Sequence, residues 1–193
     1  MEYLILASAS PRRFELLSCF GFPLKVIKPQ IEEIIESGLT PEEIVKSLAF
    51  QKGDSVIKTT DYNNPLISAD TIVVLNGAIL GKPVDKENAS NMMKMLSGQT
   101  HQVFTGVSVF YNNKVDTFHV RSDVTFKKLS NKEIFDYCET DEPYDKAGAY
   151  AVQGIGSFMV RSINGSYSNV IGLPVSEVIE HFQKLGLLDG LKA

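Results

Sequence analysis

A basic excess, cysteine pairs and long apolar runs are all missing from this chain, and each absence removes a class of protein. The formal net charge is -4, without a dense basic stripe, which argues against general polyanion or nucleic-acid binding. Any phosphate contact must therefore come from a few cations placed in a local pocket. Cysteine occurs only at Cys19 and Cys138, in no CxxC spacing, so neither a cysteine metal site nor a disulfide framework is expected. Both read as reduced thiols, with Cys19 a core residue on an apolar helix face. No apolar stretch approaches the ~20 residues of a membrane helix. The opening MEYLILAS has an acidic second residue and a short apolar run, unlike a signal peptide. A cytoplasmic protein with no membrane partner is expected. Repeats, low-complexity tracts and linkers are absent too, and 193 residues with 44% hydrophobic and 22% charged side chains read as one globular domain, 1–193.

What is present alternates between strand and helix signals. YLILAS reads as a buried strand, followed by Ser10 as N-cap and Pro11 at the first helical position. Leu16, Leu17 and Phe20 recur at helical spacing and Gly21 stops the helix. LKVIKP reads as a second strand and IEEIIESG as an acidic loop or short turn. Thr40, Pro41 and Glu43 form a capping box before Ile44, Val45, Leu48 and Val56, which supply a helical stripe. Two strands then meet at Asn76-Gly77, a strong hairpin signal. Asp85 caps a helix that Gly98 ends, and two more strands flank Asn112-Asn113. Ser130 and Glu133 open another capped helix, a strand ends the glycine-rich run EPYDKAGAYAVQGIGSFMV, and Pro174 begins the last helix. Helices alternating with strands, with hairpins in the middle, define an α/β domain on a mixed, twisted sheet flanked by helices, with a cleft between two lobes.

Six stretches carry side chains suited to chemistry. In SASPRR, Arg12 and Arg13 fall in the first turn of a helix, where backbone N–H groups and the macrodipole favour anions rather than cations. With the hydroxyls of Ser8 and Ser10 they would surround a phosphate; solvated arginines lying over apolar neighbours are the equal alternative. In SADTIVV, Asp70 and Thr71 sit at or within an apolar strand, where a carboxylate is costly unless paired or bound to a cation. It reads as a metal ligand or general base, or as a cap for nearby N–H groups. Lys82 in LGKP suits either a phosphate or water. Glu32, Glu33 and Glu36 form a solvated face or supply a Mg²⁺ ligand, and Lys52 is by default an exposed helix lysine. In DKAGAYAVQG, small residues beside Lys146 and Gln153 fit a backbone packed close to a ligand or another chain, or equally a tight turn, and the Gln153 amide has the donor and acceptor that read a nucleobase edge. Asn169, Gly172 and Pro174, before the last helix, read first as structural. Cations, a strand acid and a base-reading amide together fit nucleoside triphosphate chemistry.

The strings LILASASPRRFELL, SADTIVV, GKP, LSGQTHQVFTGVSV, EPYDKAGAYAVQG and GSYSNVIGLPVSEV closely resemble the Maf family, once labelled septum-formation inhibitors. The resemblance runs from residue 3 to about 185. It implies a fold similar to that of inosine triphosphatases, a homodimer, and hydrolysis of a nucleoside triphosphate between its α- and β-phosphates. A divalent cation, Mg²⁺ or Mn²⁺, is implied as cofactor. Residue by residue, Asp70 resembles the family's proton acceptor and, with Glu33, its metal-binding carboxylates. Ser8, Arg13, Lys52 and Lys82 resemble its phosphate-binding set. Arg12, Thr71 and Gln153 resemble the specificity set of the branch acting on dTTP and UTP, whereas a branch acting on 7-methyl-GTP typically has tryptophan, glutamine and glutamate there. Ala151 and Ser68 stand where glycine is commoner, without removing a side chain that the chemistry needs. The alternative is a regulatory or binding protein of cell division, and a third reading is a phosphatase releasing only the terminal phosphate.

Overall fold

The computed structural model describes residues 2–60 and 64–188. Seven strands and six α-helices follow the order β1 (Leu4–Ala7), α1 (Pro11–Ser18), β2 (Leu24–Ile27), α2 (Pro41–Ile57), β3 (Leu66–Leu75), β4 (Ala78–Leu80), α3 (Lys86–Leu96), β5 (Thr100–Tyr111), β6 (Lys114–Phe126), α4 (Asn131–Cys138), β7 (Val160–Asn164), α5 (Tyr167–Ile171) and α6 (Val175–Lys184) among the described residues, with three short 3-10 turns between α4 and β7. The strands form one sheet in the order β2-β1-β3-β5-β6-β7, with β4 also paired to β3. β1 runs parallel to both neighbours, whereas β4 and β7 run antiparallel to β3 and β6. The expected mixed α/β sheet flanked by helices is thus observed.

Local chemistry sets the element ends. Both capping boxes form: Thr40 accepts from the Glu43 N–H and Ser130 from that of Glu133, each glutamate reaching back to the cap N–H. The Asp85 side chain accepts from the Asn88 N–H at 2.7 Å. Asn76 and Gly77 both have positive φ, as a two-residue hairpin with the native strand twist requires. The first helix departs from expectation. It ends at Ser18, so Phe20 lies outside it and Cys19, expected in the core, is exposed. Ser10 occupies its N-cap without a side-chain bond to the helix. The short helix α5 has no periodic signal in the sequence.

The chain forms two compact units. Among the described residues the first comprises 2–60, 64–70, 105–120 and 172–188, with a core of Leu4, Leu6, Leu17, Ile67, Val107, Val109, Leu173, Val178 and Phe182. Here α2 presses on the sheet through positions with no room to spare. A Cβ on Gly106 of β5 would lie 2.1 Å from the Val45 carbonyl oxygen, and one on Gly53 of α2 would lie 2.1 Å from the Phe110 ring. Ser68 of β3 donates its hydroxyl to the Ala49 carbonyl at 2.7 Å, pinning the helix to the strand. In the parallel pair Ala7 stands opposite Ser68, so Ser8 falls level with Ala69, next to Asp70.

The second unit comprises residues 71–104 and 121–171. Its core joins α3 and α4 to the strands through Val73, Met93, Leu96, Val124, Phe126, Tyr137 and Met159. His101 is buried against Phe126 and Tyr150, its Nε2 lying 2.8 Å from the Tyr150 hydroxyl. Burial lowers the His101 pKa to about 4, against a smaller opposing pull from Asp123. Burial pushes the Tyr150 phenol up, so it stays protonated.

Two outcomes follow from this packing. Gly106→Ala should destabilise the protein by about 1–3 kcal/mol or more, because the methyl meets α2 backbone rather than a movable side chain; a urea midpoint shifted down at unchanged slope would report it. Because the unfolded chain takes up a proton at His101 before the folded one does, stability should fall as pH drops from about 6.5 to about 4, by at most about 1.4 kcal/mol per pH unit from this group. Urea melts across that window should show a shallower pH slope for His101→Phe.

Candidate active site

The candidate site is assembled from the residue that follows β1, the middle of β3, the start of α1, the acidic segment after β2 and the latter part of α2, all in the first unit. Asp70 lies in β3 among Leu66, Ile67, Ala69 and Ile72, and its side chain is only 12% exposed. A carboxylate there requires a cation, and α2 supplies one. Lys52 Nζ, with its side chain 15% exposed, pairs with Asp70 Oδ1 and lies 3.0 Å from Glu33 Oε1. Lys52 is therefore not the exposed helix lysine that its local sequence describes. The constricted contact at Gly53, the next residue, carries its backbone close enough to the sheet to reach Asp70.

Arg13 forms the second half of the site. Its guanidinium is buried, with Nε donating to the Gly172 carbonyl at 2.8 Å and an Nη1 donating to Ser8 Oγ at 3.3 Å. Burial lowers its pKa, Asp70 raises it, neighbouring Arg12 lowers it, and Glu33 raises it. An arginine retains its charge under such conditions. Ser8 Oγ also accepts from the Ser10 N–H at 3.1 Å, which folds the strand–helix junction onto itself. Arg12 is partly exposed. The structure thus joins Ser8 to Arg13 and joins Glu33, Lys52 and Asp70 to one another, within one unit and within one electrostatic field. Glu32 and Glu36 are exposed.

Among the described residues no group of three or more His, Cys, Asp or Glu side chains gathers as metal ligands. Mg²⁺, however, characteristically uses one or two carboxylates and completes its shell with water and phosphate oxygens. Asp70 and Glu33, drawn together on the Lys52 ammonium, are a donor pair of that kind.

Thr71, Lys82 and Gln153 belong to the second unit. Thr71 is partly buried in β3, while Lys82 and Gln153 are exposed. The Gly148 N–H donates to the Gly81 carbonyl at 3.0 Å, tying the loop of Lys82 to the glycine-rich segment. Gly148 has a φ of 69° and packs against Val73, so at this glycine the backbone approaches the protein's own strand rather than a ligand or another chain. Lys146 Nζ donates to the Glu142 carbonyl at 2.7 Å and pairs with Asp145. Asn169 is wholly buried and donates to Val103 O and Ser122 Oγ, the structural role read for it first.

Two further polar residues, Glu142 and the α2 residue Gln51, have no signal in the sequence. The Glu142 carboxylate accepts from the N–H groups of Ile155 and Gly156 at 2.9 and 2.7 Å, and from the Tyr137 hydroxyl at 3.1 Å, bracing the turn that follows Gln153. The Gln51 amide binds the backbone of Ile34. The backbone partners of both lie 13 to 17 positions away, on atoms that every residue carries, so no motif reveals them.

A mixed sheet with flanking helices, and a buried strand carboxylate paired to a helix lysine beside a second carboxylate, is the setting of an α/β enzyme. The sequence matches the family model described as Maf-like protein over residues 3–185, and the chain belongs to that family. Among curated relatives, a dTTP/UTP pyrophosphatase of Bacillus anthracis (strain CDC 684 / NRRL 3495) is 43% identical over 187 residues, covering 97% of each chain. A protein of the same name from Bacillus thuringiensis subsp. konkukian (strain 97-27) is 43% identical over 188 residues, with the same coverage. Among solved structures, the Ham1 protein of Staphylococcus aureus has the same fold, with a TM-score of 0.52 over 95% of this chain and 98% of that one, at 14% identity. No described helix is long and apolar enough to cross a membrane.

Arg13→Lys tests the site's frame, because a lysine cannot hold Gly172 and Ser8 with one planar fork. The loss of the buried charge-assisted bonds should cost about 1.5–3 kcal/mol, read as a lowered urea midpoint.

Proposed function

We propose that this protein is a nucleoside triphosphate pyrophosphatase that hydrolyses dTTP and UTP to the monophosphate and pyrophosphate. The observation that carries this reading is the buried strand carboxylate Asp70, held by Lys52 beside Glu33, next to the preset Arg13–Ser8 pair. The name borne by the relatives at 43% identity supports it.

In this reading a water attacks the α-phosphorus while Asp70 takes its proton, the bond to the bridging oxygen breaks, and pyrophosphate leaves. Such a transfer is governed by positioning and by stabilisation of charge on the phosphate oxygens. Arg13 suits that task because its guanidinium is already fixed by the protein, so its orientation is set before substrate arrives. Lys52 holds the Asp70 carboxylate in place and adds positive charge, and Ser8 and Lys82 are assigned to the triphosphate with it. A divalent cation, Mg²⁺ or Mn²⁺, would be held by Asp70 and Glu33 and would offset charge on the phosphates when bound. Arg12, Thr71 and Gln153 are assigned to the base. The neutral Gln153 amide matches the donor and acceptor of a pyrimidine imide edge, whereas a carboxylate there would favour a cationic methylated guanine. The homodimer and the cytoplasmic location carried by the family resemblance belong to the same proposal.

The test is product analysis of the purified protein with Mg²⁺ or Mn²⁺ on dTTP, UTP, CTP, GTP and 7-methyl-GTP. Pyrophosphate and monophosphate from dTTP and UTP are expected. Cleavage of 7-methyl-GTP instead would overturn the base assignment, and release of orthophosphate with a diphosphate would overturn the cleavage position. Absence of any product would replace the enzyme by a binding protein. Asp70→Asn should lower kcat by about 10²–10⁴ while retaining the folded state by circular dichroism; turnover at the wild-type rate would remove Asp70 as the base.

A further inference from the structure

We propose that Gln51 is a positioning residue for Glu33, acting as a side-chain clamp on the acidic segment between β2 and α2. The proposal rests on the assignment of Glu33 to the reaction made above. Residues 28–40 have no regular secondary structure apart from a turn at 37–38, and 32–38 are exposed throughout, including Ile34 and Ile35. Apolar packing therefore does little to hold the stretch that carries Glu33. Its far end is tied down by the Thr40 capping box, but Glu33 lies seven positions earlier, too far for that bond to fix its place.

Gln51 provides the local fixing. The Ile34 N–H donates to Gln51 Oε1 at 3.0 Å, and Gln51 Nε2 donates back to the Ile34 carbonyl at 2.8 Å. A primary amide carries donor and acceptor in one plane, so the pair copies a single rung of a β-ladder. The same Nε2 also donates to Ser47 Oγ at 3.0 Å, one helical turn back. The Ile34 N–H, which can only donate, and its carbonyl, which can only accept, fix which end of the amide faces which backbone group, and the bond to Ser47 ties the amide to its own helix.

The consequence lies in what adjoins the clamp. Gln51 and Lys52 are consecutive on α2, and Ile34 and Glu33 are consecutive on the segment. One residue of the helix grips the main chain while the next receives the neighbouring carboxylate, 3.0 Å from Glu33 Oε1. Without the amide, Glu33 would rest on one half-exposed ion pair, which by itself holds a mobile segment weakly. Glutamate at position 51 would keep the acceptor, lose the donor and add a like charge beside Glu33. Methionine would keep the length and lose both bonds.

The experiment is a double-mutant cycle on dTTP turnover using Glu33→Ala, Gln51→Met and the combination, with urea melts of each and amide hydrogen exchange at Ile34. Gln51→Met should lose activity by about tenfold or more, as residues that orient a functional group do when removed. In the Glu33→Ala background the same change should cost nothing further, because its effect passes through Glu33. Gln51→Met should also speed Ile34 exchange, which Glu33→Ala should leave slow. Full activity of Gln51→Met, losses that add in the double variant, or an unchanged Ile34 amide would each overturn the clamp. Gln51→Ala gives a second reading of the cycle if the methionine variant melts early. The exchange measurement needs no substrate, so it judges the clamp even where the wild-type protein releases no pyrophosphate, a result that would overturn the proposed function instead.

Discussion

Asp70 puts a negative charge inside a strand whose other residues are built to exclude water, and the surrounding structure is organised around compensating it. An unpaired carboxylate at that depth would either take up a proton or open the strand to solvent. The compensating ammonium comes from Lys52, and a lysine in the middle of a helix reaches a strand residue only if helix and sheet approach closely. Gly53 and Gly106 permit that approach by leaving out two side chains, and the Ser68 hydroxyl locks it by a bond to the helix backbone. The capping box at Thr40 and Glu43 then fixes where the helix begins, and so where along it Lys52 falls.

The same logic explains the adjacent arginines at the start of α1. A cation at that end of a helix opposes the macrodipole, and Arg13 is buried as well, which lowers its pKa further. What stabilises it is the field of Asp70 and Glu33 together with the carbonyl of Gly172. Each buried charge in this unit is thus tolerated because of the others. Such an array is poorly suited to being a passive core element and well suited to receiving a polyanion, since its donors are oriented without one.

In the second unit the polar residues mainly shape backbone. Glu142 gathers two N–H groups and a tyrosine hydroxyl around the turn after Gln153, His101 meets Tyr150 three residues before it, and Gly148 lets the segment press on Val73. Gln153 itself is left exposed on a braced loop. A specificity element needs that combination of an available polar group and a backbone that does not yield.

Much of this architecture is written locally. The two capping boxes, the Asp85 cap, the Asn76-Gly77 hairpin and the two strands on either side of Asn112-Asn113 depend on neighbours a few positions apart, and all are observed, although β5 is buried almost continuously rather than on alternate residues. The family strings, too, are short and contiguous, which is why the chain's membership was readable from residues alone. Local sequence misleads where an element's end or a side chain's partner depends on distant chain. Cys19 was expected in a core that its helix, ending at Ser18, does not carry it into. The five residues of α5 are too few to show a period. The charge of Lys52 and its place on a helix were fixed by sequence; whether that charge met water or Asp70 was decided by how closely α2 packs on the sheet. The pairing of Gln51 with Ile34 likewise joins positions 17 apart through backbone atoms that every residue carries. Local sequence sets conformation because the bonds that cap helices and close turns span only a few residues, whereas the electrostatic environment of a side chain is set by whatever folding brings beside it.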